Sequence, residues 1–455
     1  YSNALSLAID LYGEKSLIAA YLYSNIGNIY KSESKYDIAI EYYNKSLEIQ
    51  LNTFGENNFN VAKTYISLAS VLREKKEFEK SLDYYNKCIK IYKELGLTEK
   101  SDYGYIYQNI ASVKLDESKN AEALSILLYA LDIQKKIYKE EKSFYSLFFS
   151  NIAFSYYKMR NYEKSLVFYQ KSIVDCVPSF NDTTNIFSVP QIKDYINWIV
   201  LLKSLNLKAE ILSDTNKKIE LEQIKNPIYR LQIALQHYQA SDTLITQVRQ
   251  QMTTKNDKLT LGTITCDVYS GAIETSYILS QISTQKRDIS RFKNITFFFS
   301  ERNKSSILMQ ELAVANALKV SGIPDSLLER EHELNISIAS FINLRNNAQN
   351  DSIKKVWQNR LFVANHAYDS LIDLFEKNYP KYYNLKYNTK TTTPKEISKI
   401  LAKKTAMISY SITDSNIFIY LITKQDFQIY RIPKQDSLDI KIDFLRQSID
   451  RKSVV

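Results

Sequence analysis

Glycine and proline are nearly missing from this chain, at 8 and 7 residues in 455. So few breakers in so long a chain favour helices over an all-β or conventional α/β architecture. No two glycines lie closer than eight positions, which removes the dinucleotide fingerprint and the phosphate loop. The three cysteines, Cys88, Cys176 and Cys266, are far apart and form no C-x-x-C pair, so neither a zinc cluster nor a disulfide framework is expected. Histidine is equally sparse. His237 reads as a core or groove residue on an amphipathic helix, and His366 stands alone. His332 begins HELNI, where Ile336 occupies the second imidazole position of a zinc-protease helix, so no metal site is expected. No run of 18 apolar residues occurs, hence no membrane-spanning helix is expected.

Charge is abundant but mild in its balance. The net +10 divides into +1 over residues 1–175, +2 over 176–379 and +7 over 380–455, with no dense basic run. Nucleic acid is therefore not an expected partner. Carboxylates fall beside lysines at helical spacing, as in solvated ion pairs, and no catalytic constellation emerges. The composition, 45% hydrophobic and 24% charged, is that of an ordinary soluble chain. A cytoplasmic location is expected, with a removed leader left open.

A repeat dominates the first half. YSNIGNIYKSESKYDIAIEYYNKSLEI (23–49), YISLASVLREKKEFEKSLDYYNKCIKI (65–91), YQNIASVKLDESKNAEALSILLYALDI (107–133) and FSNIAFSYYKMRNYEKSLVFYQKSIVD (149–175) share one register of 42 residues. Small residues recur at Gly27, Ala69, Ala111 and Ala153, again at Ala39, Ser81, Ala123 and Ser165, and again at Ser46, Cys88, Ala130 and Ser172. Large ones recur at Tyr23, Tyr65, Tyr107 and Phe149, and at Tyr43, Tyr85, Leu127 and Tyr169. Small residues at a crossing let antiparallel helices approach while large ones fill the remaining holes. Each pair has an apolar face that only a neighbouring pair can bury. The pattern resembles the tetratricopeptide repeat in a lengthened form. It assigns Cys88 to packing, not to nucleophilic chemistry, and Phe148 and Phe149 to the core.

The spacing predicts a tetratricopeptide-repeat array over 1–178, with repeats at about 20–60, 62–100, 104–142 and 146–178 and a partial repeat at 1–19. Because Tyr1 and Ala4 match second-helix positions, the chain is expected to be a fragment. Divergent repeat-like helices follow over 188–324, including 195–212, 226–252, 268–281 and 295–320. A long helical hairpin follows over 325–390, from helices at about 325–348 and 351–378.

The remainder, 391–455, changes character. Thr393, Pro394 and Glu396 form a capping box that opens a short helix to about Lys404. Strands follow at 406–412 and 416–423, and FQIYRI makes a third. The unbroken IFIYLI reads as a strand covered on both faces. SLDIKIDFLRQSI (437–449) places Leu438, Ile442, Leu445 and Ile449 on one helical stripe. The whole is thus mostly α: a superhelical solenoid, a long hairpin, then a short β-hairpin/α segment.

FFFSERNKSSILMQELA (297–313), LFEKNYPKYYNLKY (374–387) and MISYSITDSNIFIYLITKQDFQIYRI (407–432), following such repeats, resemble bacterial TPR–CHAT proteins. In these, tetratricopeptide repeats precede a caspase-like α/β peptidase domain. The resemblance implies a His–Cys dyad beyond the opening strands. No His or Cys follows His366 here, so no catalytic residue is transferred and this chain is expected to be inert. It implies a protein- or peptide-binding and regulatory arm whose partners are a groove ligand and the remainder of the CHAT domain, with no cofactor. Groove candidates are Asn25, Asn109 and Asn151 at one repeat position, where Ser67 breaks the series, with Asn28, Lys63 and Arg73 in reach. The alternative is a non-enzymatic scaffold in which the terminal strands are a docking module. An incomplete sheet pairing with another chain is a third possibility.

Overall fold

The computed structural model describes residues 2–139, 145–221, 224–251, 255–304, 323–346, 351–386 and 391–434. It separates into two compact units, residues 1–204 and 205–455. Several sequence expectations lie wholly or partly outside the described residues, among them the stripe at 437–449, the helix at 295–320 beyond residue 304, and the ends of the expected helices at 226–252 and 325–348.

The first unit is a run of helix pairs. α1 (Ser2–Tyr12) precedes α2 (Leu17–Ser32) with α3 (Tyr36–Phe54), and α4 (Phe59–Glu74) with α5 (Phe78–Glu94). Then come α6 (Ser101–Asp116) with α7 (Asn120–Tyr138), and α8 (Ser146–Lys158) with α9 (Tyr162–Cys176). The small residues sit where each pair crosses. A Cβ on Gly27 would lie 2.8 Å from the Tyr43 ring, so α2 and α3 meet as closely as they do because that atom is missing. At the equivalent crossings of later repeats a serine also ties the helices. Ser81 donates to the Ala69 carbonyl at 2.7 Å and Ser165 to the Ala153 carbonyl at 2.8 Å. Ala39, Ala69, Ala111, Ala123, Ala153 and Cys88 are fully buried, and Tyr43, Tyr85, Leu127 and Tyr169 fill the spaces beside them.

The turn inside every pair is the same. Ser34, Lys76, Ser118 and Arg160 adopt φ of 60°, 63°, 61° and 60°. The next residue's N–H reaches back five positions, Lys35 to Tyr30, Glu77 to Leu72, Lys119 to Lys114 and Asn161 to Tyr156, at 2.8–2.9 Å. This is the Schellman closure, built without its customary glycine. Each non-glycine residue there carries steric strain that a glycine would relieve.

α10 (Trp198–Ser213) carries the chain into the second unit. There Arg230 donates to the carbonyls of Ile211 (2.8 Å), Leu212 (2.9 Å), Asp214 (2.5 Å) and Lys217 (3.1 Å), closing the end of α10. α11 (Pro227–Gln251) starts on Asn226, whose Oδ1 accepts from the N–H of Ile228 at 2.9 Å and of Tyr229 at 3.3 Å. α12 (Lys255–Ile282) and α13 (Lys286–Lys304) follow. Gly271 leaves room on α12 for the Tyr238 ring. A buried triad, Arg302–Asp242 at 2.8 Å and Tyr269 to Asp242 at 2.7 Å, pins α13 to α11 and α12.

α14 (Asp325–Asn346) and α15 (Asp351–Asn378) form the hairpin, closed by α16 (Pro380–Lys386), where Tyr382 donates to buried Glu331 at 2.7 Å. α17 (Pro394–Ile400) is opened by the capping box of Thr393 and Glu396 and ends four residues before the expected Lys404.

The strands β1 (Ala406–Ile412), β2 (Asn416–Thr423) and β3 (Phe427–Pro433) make an antiparallel sheet of order β1-β2-β3. One face packs on α12 and α13 through Tyr277 against Phe418, with ring centroids 5.2 Å apart, and Phe297 against Tyr420 at 5.5 Å. Glu274 of α12 clamps the β1–β2 turn, accepting from Thr413 Oγ1 at 2.6 Å and Asn416 Nδ2 at 2.7 Å. The two-sided covering expected of IFIYLI is not found. Phe418, Tyr420 and Ile422 are buried, but Ile417, Ile419 and Leu421 are half-buried. Those three share the outer face with the exposed residues Ile408, Tyr410, Ile412, Tyr430 and Ile432, because strand side chains alternate.

Lys76 is exposed, so Lys76→Gly removes strain and little contact. It should raise stability by about 0.5–1 kcal/mol, read as a higher midpoint in urea unfolding. Glu274→Ala should loosen the β1–β2 turn by about 2 kcal/mol, read as roughly thirtyfold faster amide exchange there. Unchanged protection would show that the turn is held without this carboxylate.

Candidate functional site

Helices α2, α4, α6 and α8 are successive first helices of the repeats, and each neighbours the next across the array. Their facing surface is polar and stitched across repeats. Lys31 donates to Ser70 Oγ at 2.6 Å, and Arg73 Nε pairs with Asp116 Oδ2 at 2.6 Å. Lys31 and Arg73 occupy one repeat position, as do Asn28 and Ser70 three residues earlier. The result is a row, Asn28, Lys31, Ser70, Arg73, Asp116, that crosses three helices.

The chemistry of the row is set by what lies behind it. The Tyr43 phenol donates to Asn28 Oδ1 at 2.7 Å, which fixes the amide and leaves its nitrogen to donate outward. Burial lowers the Lys31 ammonium below its ordinary range and Arg73 adds to this, while Glu74 opposes it. Arg73 is half-buried, with Glu74 at 3.9 Å as a second, looser carboxylate. An ion pair this open contributes about 0–1 kcal/mol, so Asp116 can be exchanged for a ligand carboxylate at small cost.

The predicted residues distribute as follows. Asn28 and Arg73 are in the row. Asn25 is half-buried on α2, and its Nδ2 is buried without a hydrogen-bond acceptor. Asn109 and Asn151 are half-buried at the corresponding places on α6 and α8. Lys63 is exposed, its ammonium 4.5 Å from the centre of the Phe59 ring, a cation–π contact within one helix. Sequence reasoning missed Lys31, Ser70 and Asp116. The signal was present in part, since Lys31 and Arg73 are 42 residues apart.

The remaining reactive groups are inert or isolated. Cys88 is fully buried and burial pushes its thiol up to about 12; Cys176 is shifted the same way. His237 is buried, with Nδ1 2.9 Å from the Ile233 carbonyl, and burial holds the imidazole neutral well below its usual range. His332 and His366 are exposed on α14 and α15. Among the described residues no group of three or more His, Cys, Asp or Glu is placed to hold a metal ion. Among them too, no helix is long and apolar enough to cross a membrane.

Residues 17–94 match the family model of the tetratricopeptide repeat. The helix pairs form a solenoid like that of tetratricopeptide repeats. No curated protein matches the chain. Among solved structures, BtubC (BKLC) from P. vanneervenii is 18% identical over 43% of this chain and 77% of its own, with a TM-score of 0.35. PilF of Pseudomonas aeruginosa is 16% identical over 60% and 96%, at 0.33. A Rap protein complexed with Competence and Sporulation Factor is 14% identical over 63% and 74%, at 0.37.

A thiol reagent should modify Cys266, which is exposed, in the native chain and reach Cys88 and Cys176 only on unfolding. Modification of all three at one rate would contradict the buried placements.

Proposed function

We infer from the tetratricopeptide repeats that the chain takes part in protein–protein interaction. We propose that the chain is the recognition arm of a caspase-like CHAT peptidase, and that the first helices of its repeats bind an extended, acidic segment of a protein. The observation that carries this reading is the cross-repeat row from Asn28 to Asp116. An amide donor and two cations stand on neighbouring helices, and one of the cations is held by an exchangeable carboxylate. Asparagine amides pair with peptide backbone, and the guanidinium takes a carboxylate in bidentate fashion. Asn25, Asn109 and Asn151 extend the donor set along α2, α6 and α8, and Lys63 adds charge at the rim.

The peptidase part of the proposal rests on the terminal sheet. It is anchored to α12 and α13 by one face and bears an apolar outer face, as a sheet within a larger α/β layer would. Ligand binding to the repeats would then act on the attached domain. A scaffold without peptidase activity is the other reading. Assaying the intact gene product that carries this chain for cysteine-dependent cleavage separates the two.

Peptides selected from a displayed library on the wild-type chain should be acidic. Arg73→Ala and Asn28→Ala should each weaken them about tenfold by anisotropy, and the Asn109→Ala/Asn151→Ala pair should weaken them several-fold. Selected peptides that bind these variants as tightly as wild type would sink the groove assignment.

A further inference from the structure

Away from the repeats, three segments of the second unit enclose a crevice of about 440 Å³: the first two turns of α13, the start of α17 and the β2–β3 turn. Four lysines line it, Lys286, Lys293, Lys395 and Lys424, against a single acidic residue, Asp426. That carboxylate is committed to its own turn. Oδ1 accepts from the Phe427 N–H at 2.8 Å, and Oδ2 accepts from the Gln428 amide at 2.9 Å. Lys293 donates to a neutral acceptor, Gln428 Oε1, at 3.1 Å. Among the described residues none of the four lysines forms an ion pair.

Some lysines elsewhere in the chain do form ion pairs. Lys75 meets Asp37 at 2.6 Å, Lys87 meets Asp83 at 2.8 Å, Lys136 meets Asp132 at 2.7 Å and Lys304 meets Glu301 at 2.7 Å. Four like charges around a concave surface repel one another and focus a positive potential into it. An anion with several charges relieves that repulsion. The crevice also has apolar wall, from Ile289 and Phe427, and its volume lies in the range of small-molecule sites, roughly 300–1,000 Å³.

We propose that this crevice binds a phosphorylated small molecule, with its phosphate groups on the four lysines and its organic portion on Ile289 and Phe427. Such a ligand touches α13, α17 and the β2–β3 turn at once. It therefore ties the sheet to the helix that carries it, and by mass action it stabilises that arrangement. The site is independent of the repeat groove, so either assignment can fail without the other.

The test is calorimetric titration of the 455-residue chain with adenosine triphosphate and, separately, fructose 1,6-bisphosphate, in about 0.05 M salt to limit screening. At least one should bind saturably, with inorganic phosphate about tenfold weaker. Lys293→Gln/Lys424→Gln should reduce the affinity about tenfold, whereas Lys87→Gln/Lys136→Gln, the same charge change in the first unit, should alter it less than about twofold. Lys424→Gln alone, on an exposed turn, should give a measurable part of the loss should the double variant fail to fold. No saturable binding of either ester up to about 5 mM overturns the proposal, as does an equal loss in both double variants. Inorganic phosphate binding as tightly as the esters overturns the role given to Ile289 and Phe427.

Discussion

Everything in the first unit depends on how closely two helices can cross. Where Gly27, Ala69, Ala111 and Ala153 stand, the second helix of the pair comes near enough for Tyr43, Tyr85, Leu127 or Tyr169 to be wholly buried. The order of the repeats follows, because only pairs packed at that distance present a continuous face to the next. The polar row follows too. Lys31 reaches Ser70, and Arg73 reaches Asp116, because consecutive first helices are set at one fixed offset.

The repeat architecture was legible in the sequence because size alternation at fixed intervals is a direct record of helix crossings. The turns between paired helices were less so. Their left-handed residue is Ser34, Lys76, Ser118 or Arg160, and none of these types marks such a turn. The fixed length of the connection and the closing hydrogen bonds force the geometry, and the side chain bears it. The strands of the terminal segment were legible from apolar runs and turn residues. Their partner was not: a run such as IFIYLI does not say which of its faces is buried, and α12 and α13 take only one.

The candidate groove shows the same division. Asn28 and Arg73 were found as polar residues within reach of the asparagine series, and Lys31 could have been found as the repeat mate of Arg73. Asp116 could not, since it lies one repeat further along and one residue out of register. Contacts between side chains of different repeats depend on the superhelical offset, which the sequence does not state. The crevice of the second unit is a stronger case. Lys286, Lys293, Lys395 and Lys424 are separated by up to 138 positions, and the sequence places them only within a diffuse basic excess.

Among the described residues of the first unit each helix pair touches its immediate neighbours, and a hydrogen bond spanning as much sequence as Glu274 with Thr413 has no counterpart among them. A pull applied along such an array is shared in series. Every interface carries the same load, and the weakest yields first without taking the others with it. The tightly crossed pairs thus behave as stiff links joined by softer springs, and the array can lengthen under tension while each link keeps its own fold.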